Sequence, residues 1–567
     1  MNQDLITTKR LSLIAVFLSI FAIGSILMFT TPASVKATYG LTTQTDDGVT
    51  ISFNVFEPVS GVPGGTRPAI IIGHGVMVNK EMLKGYALEF AAAGFVAVPF
   101  DFRGHGQSIG GENNRSAMVN DIKAIKTYLS NIVEVDTSNL GYVGYSMGGL
   151  GQSLIDSDTD FKCFIGIGTG LYNTLRTGKT SAPLDVLMIL ARYDEAFQPS
   201  DLTGALATRT GVLEGNIDAN RIYGSFEHGN ATMMYIDDNS NHLLTAWDQD
   251  FIREARDWAI NSFGINVIDE NFYANIRGIV LIVQIFGGVG FFFLSIDPLS
   301  NLILKSKKNR DSEIELYKIE FPDITIRTIT IRAVGYSLAL GILGVLIFIL
   351  PLLILPLAIA GFVCALLFGA AFGIHVLMWR MAKKANLRLR DMYRGVFKGR
   401  EKILRQIILG AVLSTILYLI AYLSTGLNYL GFLPSITKMW TIPIYFAISF
   451  IIFLMFNMLT QVILQNKYDD NRIGLLKAGF PGFLFPFVYY FTYLLIFGVV
   501  LGSYFYFGNF MPIASVMFPL TTFVSVVSYK KTGNIIVGAI VNSFILTILI
   551  VTMSPPQSGL EFLMGFF

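Results

Sequence analysis

Nine apolar stretches, each long enough to cross about 30 Å of hydrocarbon as a helix, constrain this chain more than any other feature. They occupy residues 11–30, 278–296, 333–350, 352–379, 407–432, 440–464, 483–505, 512–529 and 535–553. Backbone amides and carbonyls in lipid must be satisfied within the segment, so such runs fold as helices and pack into an all-α transmembrane bundle. Composition agrees: 53% of the 567 residues are hydrophobic and 14% charged, a balance too apolar for a large soluble protein. Most Asp and Glu fall in one polar interval, 38–265, between the first run and the rest. Three regions are expected: an anchor helix over 1–37, a globular domain over 38–265, and a polytopic region of about eight helices over 266–567.

Basic residues set the expected orientation, because Lys and Arg collect in cytoplasmic loops. Lys9 and Arg10 precede the first run. Lys305, Lys307, Lys308 and Arg310 follow the second, and a dense group from Lys383 to Arg405 follows the fourth. Lys467, Arg472 and Lys477 follow the sixth, and Lys530 and Lys531 the eighth. The alternate turns hold almost no basic residue apart from Lys438. This pattern places the N-terminus inside the cell membrane and both the globular domain and the C-terminus outside. A cleavable signal competes with the anchor reading, since Val35-Lys36-Ala37 is a weak cleavage site, but signal cores run only about 7 to 15 residues, so an uncleaved anchor is expected. The stretch Pro351-Leu352-Leu353-Ile354-Leu355-Pro356 is read as a tight outer turn between two spans, with a kinked single unit as the alternative.

The polar interval alternates strand and helix signals. Residues 48–56 alternate as a strand, and a turn follows through Pro63-Gly64-Gly65. Ala69-Ile70-Ile71-Ile72 is too short for a helix and suits a buried parallel strand ending in Gly73-His74-Gly75. A helical pattern over 80–93 then leads to a strand over 95–100, which implies a doubly wound, mostly parallel α/β sheet. The most informative segment is Leu140-Gly141-Tyr142-Val143-Gly144-Tyr145-Ser146-Met147-Gly148-Gly149, a strand running into Gly-x-Ser-x-Gly. A sharp strand-to-helix turn there forces Ser146 into strained geometry and exposes its hydroxyl, while glycines 144 and 148 remove side chains that would collide. The amide of Met147 lies at the new helix N-terminus and suits an oxyanion. The second donor is expected from the loop after Gly75, most simply the amide of Val76, with Met77 the alternative.

With these motifs in hand, the interval resembles the α/β-hydrolase superfamily, and within it the serine aminopeptidase, monoacylglycerol lipase and dienelactone hydrolase-like group. The resemblance rests on His74-Gly75, on Asp101-Phe102-Arg103-Gly104-His105-Gly106-Gln107-Ser108 and on Gly144-Tyr145-Ser146-Met147-Gly148, in that order. It covers roughly residues 40–265. It implies a serine hydrolase with Ser146 as nucleophile, an acid after the next-but-one strand and a histidine after the last. Strands are expected at 164–167, 186–190 and 231–236, so Asp194 is the acid, preferred over its neighbour Glu195, and His242 the general base. His228 lies between two alternating runs and reads as a turn residue. His74 and His105 precede the serine and read as loop braces. His375, in a predicted span, is either functional or interfacial.

Only about a dozen residues separate the strand at 164 from the next, which leaves no room for a large helical cap and predicts a comparatively open pocket. Residues 199–229 are the candidate for a small lid or wall. The substrate expected from the resemblance is an ester, with thioester, lipid acyl and peptide bonds still open; a binding-only outer domain of a transporter or receptor, or an acyltransferase using the same three residues, are the alternatives. No His, Cys, Asp and Glu cluster has metal-ligand spacing, and no Gly-rich loop ends in Lys and Ser/Thr, so neither metal nor cofactor is expected. No nucleic-acid face is legible; the partners are a small-molecule substrate and the lipid bilayer. In the apolar part, Asn457, Gln461 and Asn542 read as amides joining helices rather than as a polar path. The basic run 387–405 reads as a topology signal that also suits anionic lipid.

Overall fold

The computed structural model describes residues 2–60, 65–110, 116–304, 316–321, 324–469, 471–502 and 504–564. The expected turn at Pro63 and Gly64 and the basic residues Lys305, Lys307, Lys308 and Arg310 lie outside them.

The first helix, α1 (Asn2–Phe29), leads directly into an eight-stranded sheet. The strands are β1 (Val35–Gln44), β2 (Thr50–Pro58), β3 (Arg67–Gly73), β4 (Val96–Phe100), β5 (Val135–Tyr145), β6 (Phe161–Ile167), β7 (Asp185–Tyr193) and β8 (Thr232–Asn241). Their order is β1-β2-β4-β3-β5-β6-β7-β8, with β2 antiparallel to both its neighbours and every other pairing parallel. This is the doubly wound α/β-hydrolase sheet. Its helices are α2 (Lys84–Ala93), α3 (Met118–Leu129), α4 (Gln152–Ile155), α5 (Pro199–Thr210) and α6 (Gln249–Phe263). Two apolar layers cover the sheet, one built on α2 and α6 and the other on α3 and α5, and the central strands β3 to β7 are buried on both faces. That two-sided burial is why 69–72 and 186–190 read as continuous apolar runs rather than alternating ones.

Several strands differ in length from the sequence reading. β1 went unread because it is an edge strand of small and polar residues, and it takes in Val35-Lys36-Ala37. β7 extends to Tyr193 through an irregularity between Ala191 and Tyr193, so Asp194 follows the strand immediately instead of four residues later. β8 extends to Asn241, so the polar stretch 237–241 is strand and His242 sits at its end.

The second part is helical: α7 (Ala274–Leu304), α8 (Ile326–Ile354), α9 (Ala358–Lys384), α10 (Leu389–Val396), α11 (Arg400–Ala421), α12 (Ile442–Asn457), α13 (Arg472–Leu501), α14 (Phe505–Thr532), α15 (Ile536–Met553) and α16 (Gly559–Met564). Among the described residues, nine helices are long and apolar enough to cross a membrane. The stretch 351–356 is a hairpin: α8 runs through Pro351 to Ile354, and α9 starts at Ala358 and packs back along it. Small residues let the helices approach. A Cβ on Gly24 of α1 would stand 2.7 Å from Cβ of Gln284 on α7, and Gln284 Nε2 donates to Ser25 Oγ at 2.9 Å.

Polar contacts sort the two ends of the bundle. At one end Asp297 of α7 pairs with Arg10 of α1 and, at 2.8 Å, with Lys531 of α14. At the other end the hydrolase fold is docked. Glu89 of α2 accepts the amides of Tyr273 and Ala274 at 2.7 and 2.8 Å, satisfying two unpaired N–H groups in the first turn of α7. Lys84 donates to Leu427 O and Asn428 Oδ1, and Gly431 N donates to Asn79 Oδ1. Lys438, the basic residue out of place in the charge pattern, is buried at this same end. Its ammonium donates to the carbonyls of Thr552 and Ser554, at the negative end of α15.

Candidate functional site

β5 delivers Ser146 at its C-terminal end with φ +50°, the left-handed region that a residue with a Cβ adopts only under constraint. A short 3-10 turn, Ser146–Gly151, follows at once. The glycines are sterically required. A Cβ on Gly144 would lie 2.7 Å from the carbonyl oxygen of Gly148, and one on Gly148 would overlap the carbonyl of Gly73, both backbone atoms that cannot swing away.

The three residues singled out for catalysis meet. Ser146 Oγ lies 3.0 Å from His242 Nε2, and His242 Nδ1 lies 2.9 and 3.0 Å from the two carboxylate oxygens of Asp194. With Nδ1–H donating to the Asp194 carboxylate, Nε2 is left as the acceptor facing the serine hydroxyl. Asp194 is held in turn: its Oδ1 accepts the amides of Ala196 at 2.8 Å and Phe197 at 2.9 Å. The His242 carbonyl accepts Tyr145 Oη and Thr245 Oγ1, and the Tyr145 ring stacks on the imidazole at 5.5 Å. Gly168, φ +52°, passes so near that a Cβ there would stand 3.1 Å from both Asp194 Oδ2 and His242 Nδ1. It went unremarked in the sequence, although the Gly168-Thr169-Gly170 step after β6 is its signal.

Glu195 has a separate place. Its carboxylate accepts His242 N and Asn241 Nδ2, both at 3.2 Å, so it braces the loop that carries the imidazole and does not touch the ring nitrogens. Burial, with lesser help from the Asp194 charge, raises its pKa. Val76 lines the cavity beside Ser146, next to Met77, whose φ of +64° marks a sharply turned loop. Met147 directly follows the serine on the 3-10 turn.

His74 accepts Phe102 N at 3.1 Å through Nε2, and burial lowers its pKa to about 4, so it stays neutral as a brace between the β3 and β4 loops. His105 is buried beside it with a pKa lowered to about 3. The buried pair Lys80 and Asp101, 2.6 Å apart, ties the same two loops. His228 is in an exposed turn, 2.7 Å from Ser225 Oγ. His375 stacks on Tyr393 of α10, within the bundle. Asp237, Asp248 and Asp250 bring their carboxylates within 4.8 Å of one another, which the sequence spacing did not suggest. Asp248 is the cap of α6, accepting the amides of Asp250 and Phe251, and none of the three belongs to the serine site.

The pocket differs from the open one expected. The first turns of α14 lie over it: the Phe505 ring meets the His242 ring edge-on at 5.5 Å, and Asn509, Phe510, Ile513 and Met553 complete the wall. His242 is 2% exposed and Asp194 1%. The β6–β7 segment is indeed too short for a cap, but the cover comes instead from helices over 250 residues downstream: α14 begins at Phe505, so 506–511, which the sequence places in a turn between two spans, is helix over the site. Residues 199–229, the candidate lid, do not line this cavity; they hold α5 against the far layer of the sheet.

Residues 64–192 match the family model described as serine aminopeptidase, S33, a stretch that holds Ser146 and stops short of Asp194 and His242. Over 105 residues the chain is 28% identical to uncharacterized proteins from two strains of Mycobacterium tuberculosis, covering 18% of this chain and 36% of each relative. The chain thus spans about a third of the length of the curated relatives it matches. Among solved structures, a hypothetical protein from Pseudomonas aeruginosa is similar with a TM-score of 0.32 and 16% identity, over 42% of this chain and 96% of that one. An esterase from Pyrococcus furiosus gives 0.31 and 14%, over 40% and 92%. A cold-adapted esterase from an Arctic intertidal metagenomic library gives 0.30 and 16%, over 41% and 95%.

Proposed function

We propose that this chain is a membrane-tethered serine hydrolase that cleaves ester bonds through an acyl-enzyme on the outer side of the membrane. The observation that carries the reading is the unbroken relay from Ser146 Oγ through His242 to Asp194, with both links at 2.9–3.0 Å; the family match over 64–192 supports the hydrolase class. Ser146 Oγ attacks the substrate carbonyl as its proton passes to His242 Nε2. The amides of Val76 and Met147 receive the oxyanion, and the Asp194 carboxylate stabilises the imidazolium. Collapse of the tetrahedral intermediate breaks the bond to the alkoxide, which takes the proton from Nε2. Water then attacks the acyl-serine with the same proton transfers, releasing the carboxylic acid and restoring the Ser146 hydroxyl.

The topology reading is supported by the sorting of the bundle's ends. Arg10 and Lys531 share Asp297 at one end, and the dense basic loops fall inside if the hydrolase fold, docked at the other end, is outside. Transfer of the acyl group to an alcohol or amine is a second reading. It is favoured by the shielding of His242 under Phe505, which restricts water at the acyl-serine.

The test is labelling of membranes bearing the full chain with a tagged fluorophosphonate. The parent is expected to label and Ser146→Ala not to; an unlabelled, folded parent would overturn the enzyme reading. Product analysis with added acceptor alcohols separates hydrolysis from transfer.

A further inference from the structure

The cavity beside Ser146 does not end at the hydrolase fold. Phe510, Ile513 and Met553, which form its inner wall, also line a second cavity that lies wholly within the bundle, between α9, α13, α14 and α15. That second cavity continues past Ala514, Met517 and Leu549 to Phe518 and Leu367. Its surface is almost purely apolar. Two antiparallel helices describe the same path: from Asn509 to Phe518 on α14, and from Met553 to Leu546 on α15.

The far end is defined by a change of chemistry. Phe518 and Leu367 are shared with a third cavity, where Asn457, Gln461, Thr522, Ser525 and Asn542 join Phe453, Phe456 and Pro486 in the wall. Asn542 Nδ2 donates to Ser525 Oγ, and Ser525 Oγ to Asn457 Oδ1, so these amides do join helices. Yet Asn457 Nδ2 and Asn542 Oδ1 are buried without a partner. A hydrocarbon pushed past Phe518 would offer these atoms no hydrogen bond, whereas a polar group there would, so the tail is disfavoured beyond that point.

We propose that these two adjoining cavities, joined when their shared wall of Phe510, Ile513 and Met553 repacks, form an acyl-chain subsite: the scissile carbonyl sits at Ser146 and the hydrocarbon tail runs down between α14 and α15 as far as Phe518. The inference rests on the hydrolase reading of Ser146 and names its substrate class, an ester or thioester of a medium-length fatty acid. Asn509 and Phe518 are nine helical steps apart, about 14 Å of rise, which matches the length of an extended chain of roughly ten to twelve carbons. The unfilled volume is small, about 20 Å³ beside Ser146 and about 60 Å³ within the bundle. Entry of the tail therefore displaces side chains, and Met517 and Met553 are unbranched residues that repack readily. Each methylene transferred from water into such a site strengthens binding about fourfold.

The experiment uses the full chain in nanodiscs and a series of p-nitrophenyl esters from acetate to palmitate. The parent should favour the decanoate region. Ala514→Phe fills the corridor midway, and the ratio of kcat/KM for decanoate to that for acetate should fall at least tenfold. Phe518→Ala removes the floor and should move the preferred length upward. A parent that prefers acetate, or variants that change all chain lengths in parallel, would overturn the subsite. A second measurement is independent of turnover: decanoic acid carrying a terminal diazirine should cross-link within residues 510–518 and 546–553, in competition with decanoate. Cross-links confined elsewhere would refute the corridor even if Ser146 reacts with fluorophosphonate; cross-links there with an unreactive serine would instead leave an acyl-binding site and remove the hydrolase reading.

Discussion

Replacing Asp194 with Asn should change which nitrogen of His242 carries the proton. In the parent, Oδ1 and Oδ2 of Asp194 stand 3.0 and 2.9 Å from His242 Nδ1, and Oδ1 also accepts two backbone amides, from Ala196 and Phe197. An asparagine must keep its carbonyl oxygen toward the two amides, because its NH2 group cannot accept them. The NH2 then takes the Oδ2 position and donates to Nδ1. The imidazole proton moves to Nε2, where it faces Ser146 Oγ at 3.0 Å and no acceptor remains for the serine proton. Loss of the correct tautomer costs about 10⁴-fold in kcat, or about 5.5 kcal/mol of transition-state stabilisation. The fold should survive, since both amide hydrogen bonds persist. Ester turnover and the rate of fluorophosphonate labelling in nanodiscs, with the thermal midpoint as a folding control, check this. A folded Asn variant within tenfold of the parent would refute the relay.

Glu195→Gln should lower turnover less than tenfold, because Glu195 accepts from Asn241 and His242 N and leaves the ring alone; steady-state rates of the two single variants, compared side by side, decide which acid serves. Burial raises the Glu89 carboxyl to about 7, above its ordinary 4.5. Its protonated form is the one the folded state favours, so its contribution is full below pH ~4.5 and lost as pH rises through 7. The parent's thermal midpoint should therefore fall between pH 5 and pH 8 by more than that of Glu89→Gln; equal slopes would remove this role.

The sheet and the elbow were legible because their physics is local. A strand buried on both faces must be continuously apolar, and a turn that places Ser146 at φ +50° needs glycine at 144 and 148 where backbone atoms crowd. Asp194 and His242 were reachable through chain order, although the extra residues in β7 and β8 moved both relative to their strand ends. β1 escaped notice because an edge strand of small and polar residues carries no strong alternation.

The sequence by itself determined that a strained serine elbow and a set of membrane-length helices share this chain, because steric exclusion and the cost of unpaired backbone in lipid are both written residue by residue. It could not determine that α14 closes the site. Phe505 ends one apolar run, Phe510 lies in the turn expected before the next and Ile513 opens that run, whereas all three belong to α14, and facing lipid or facing His242 leaves the same pattern of hydrophobicity. Only the packing of the hydrolase fold against the bundle, with Glu89 of α2 capping α7 and Glu195 against Gly508, decides which face of that helix meets the serine. A contact across more than 250 residues has no local signature, since what selects it is the shape and polarity of a surface that exists only once both parts have folded.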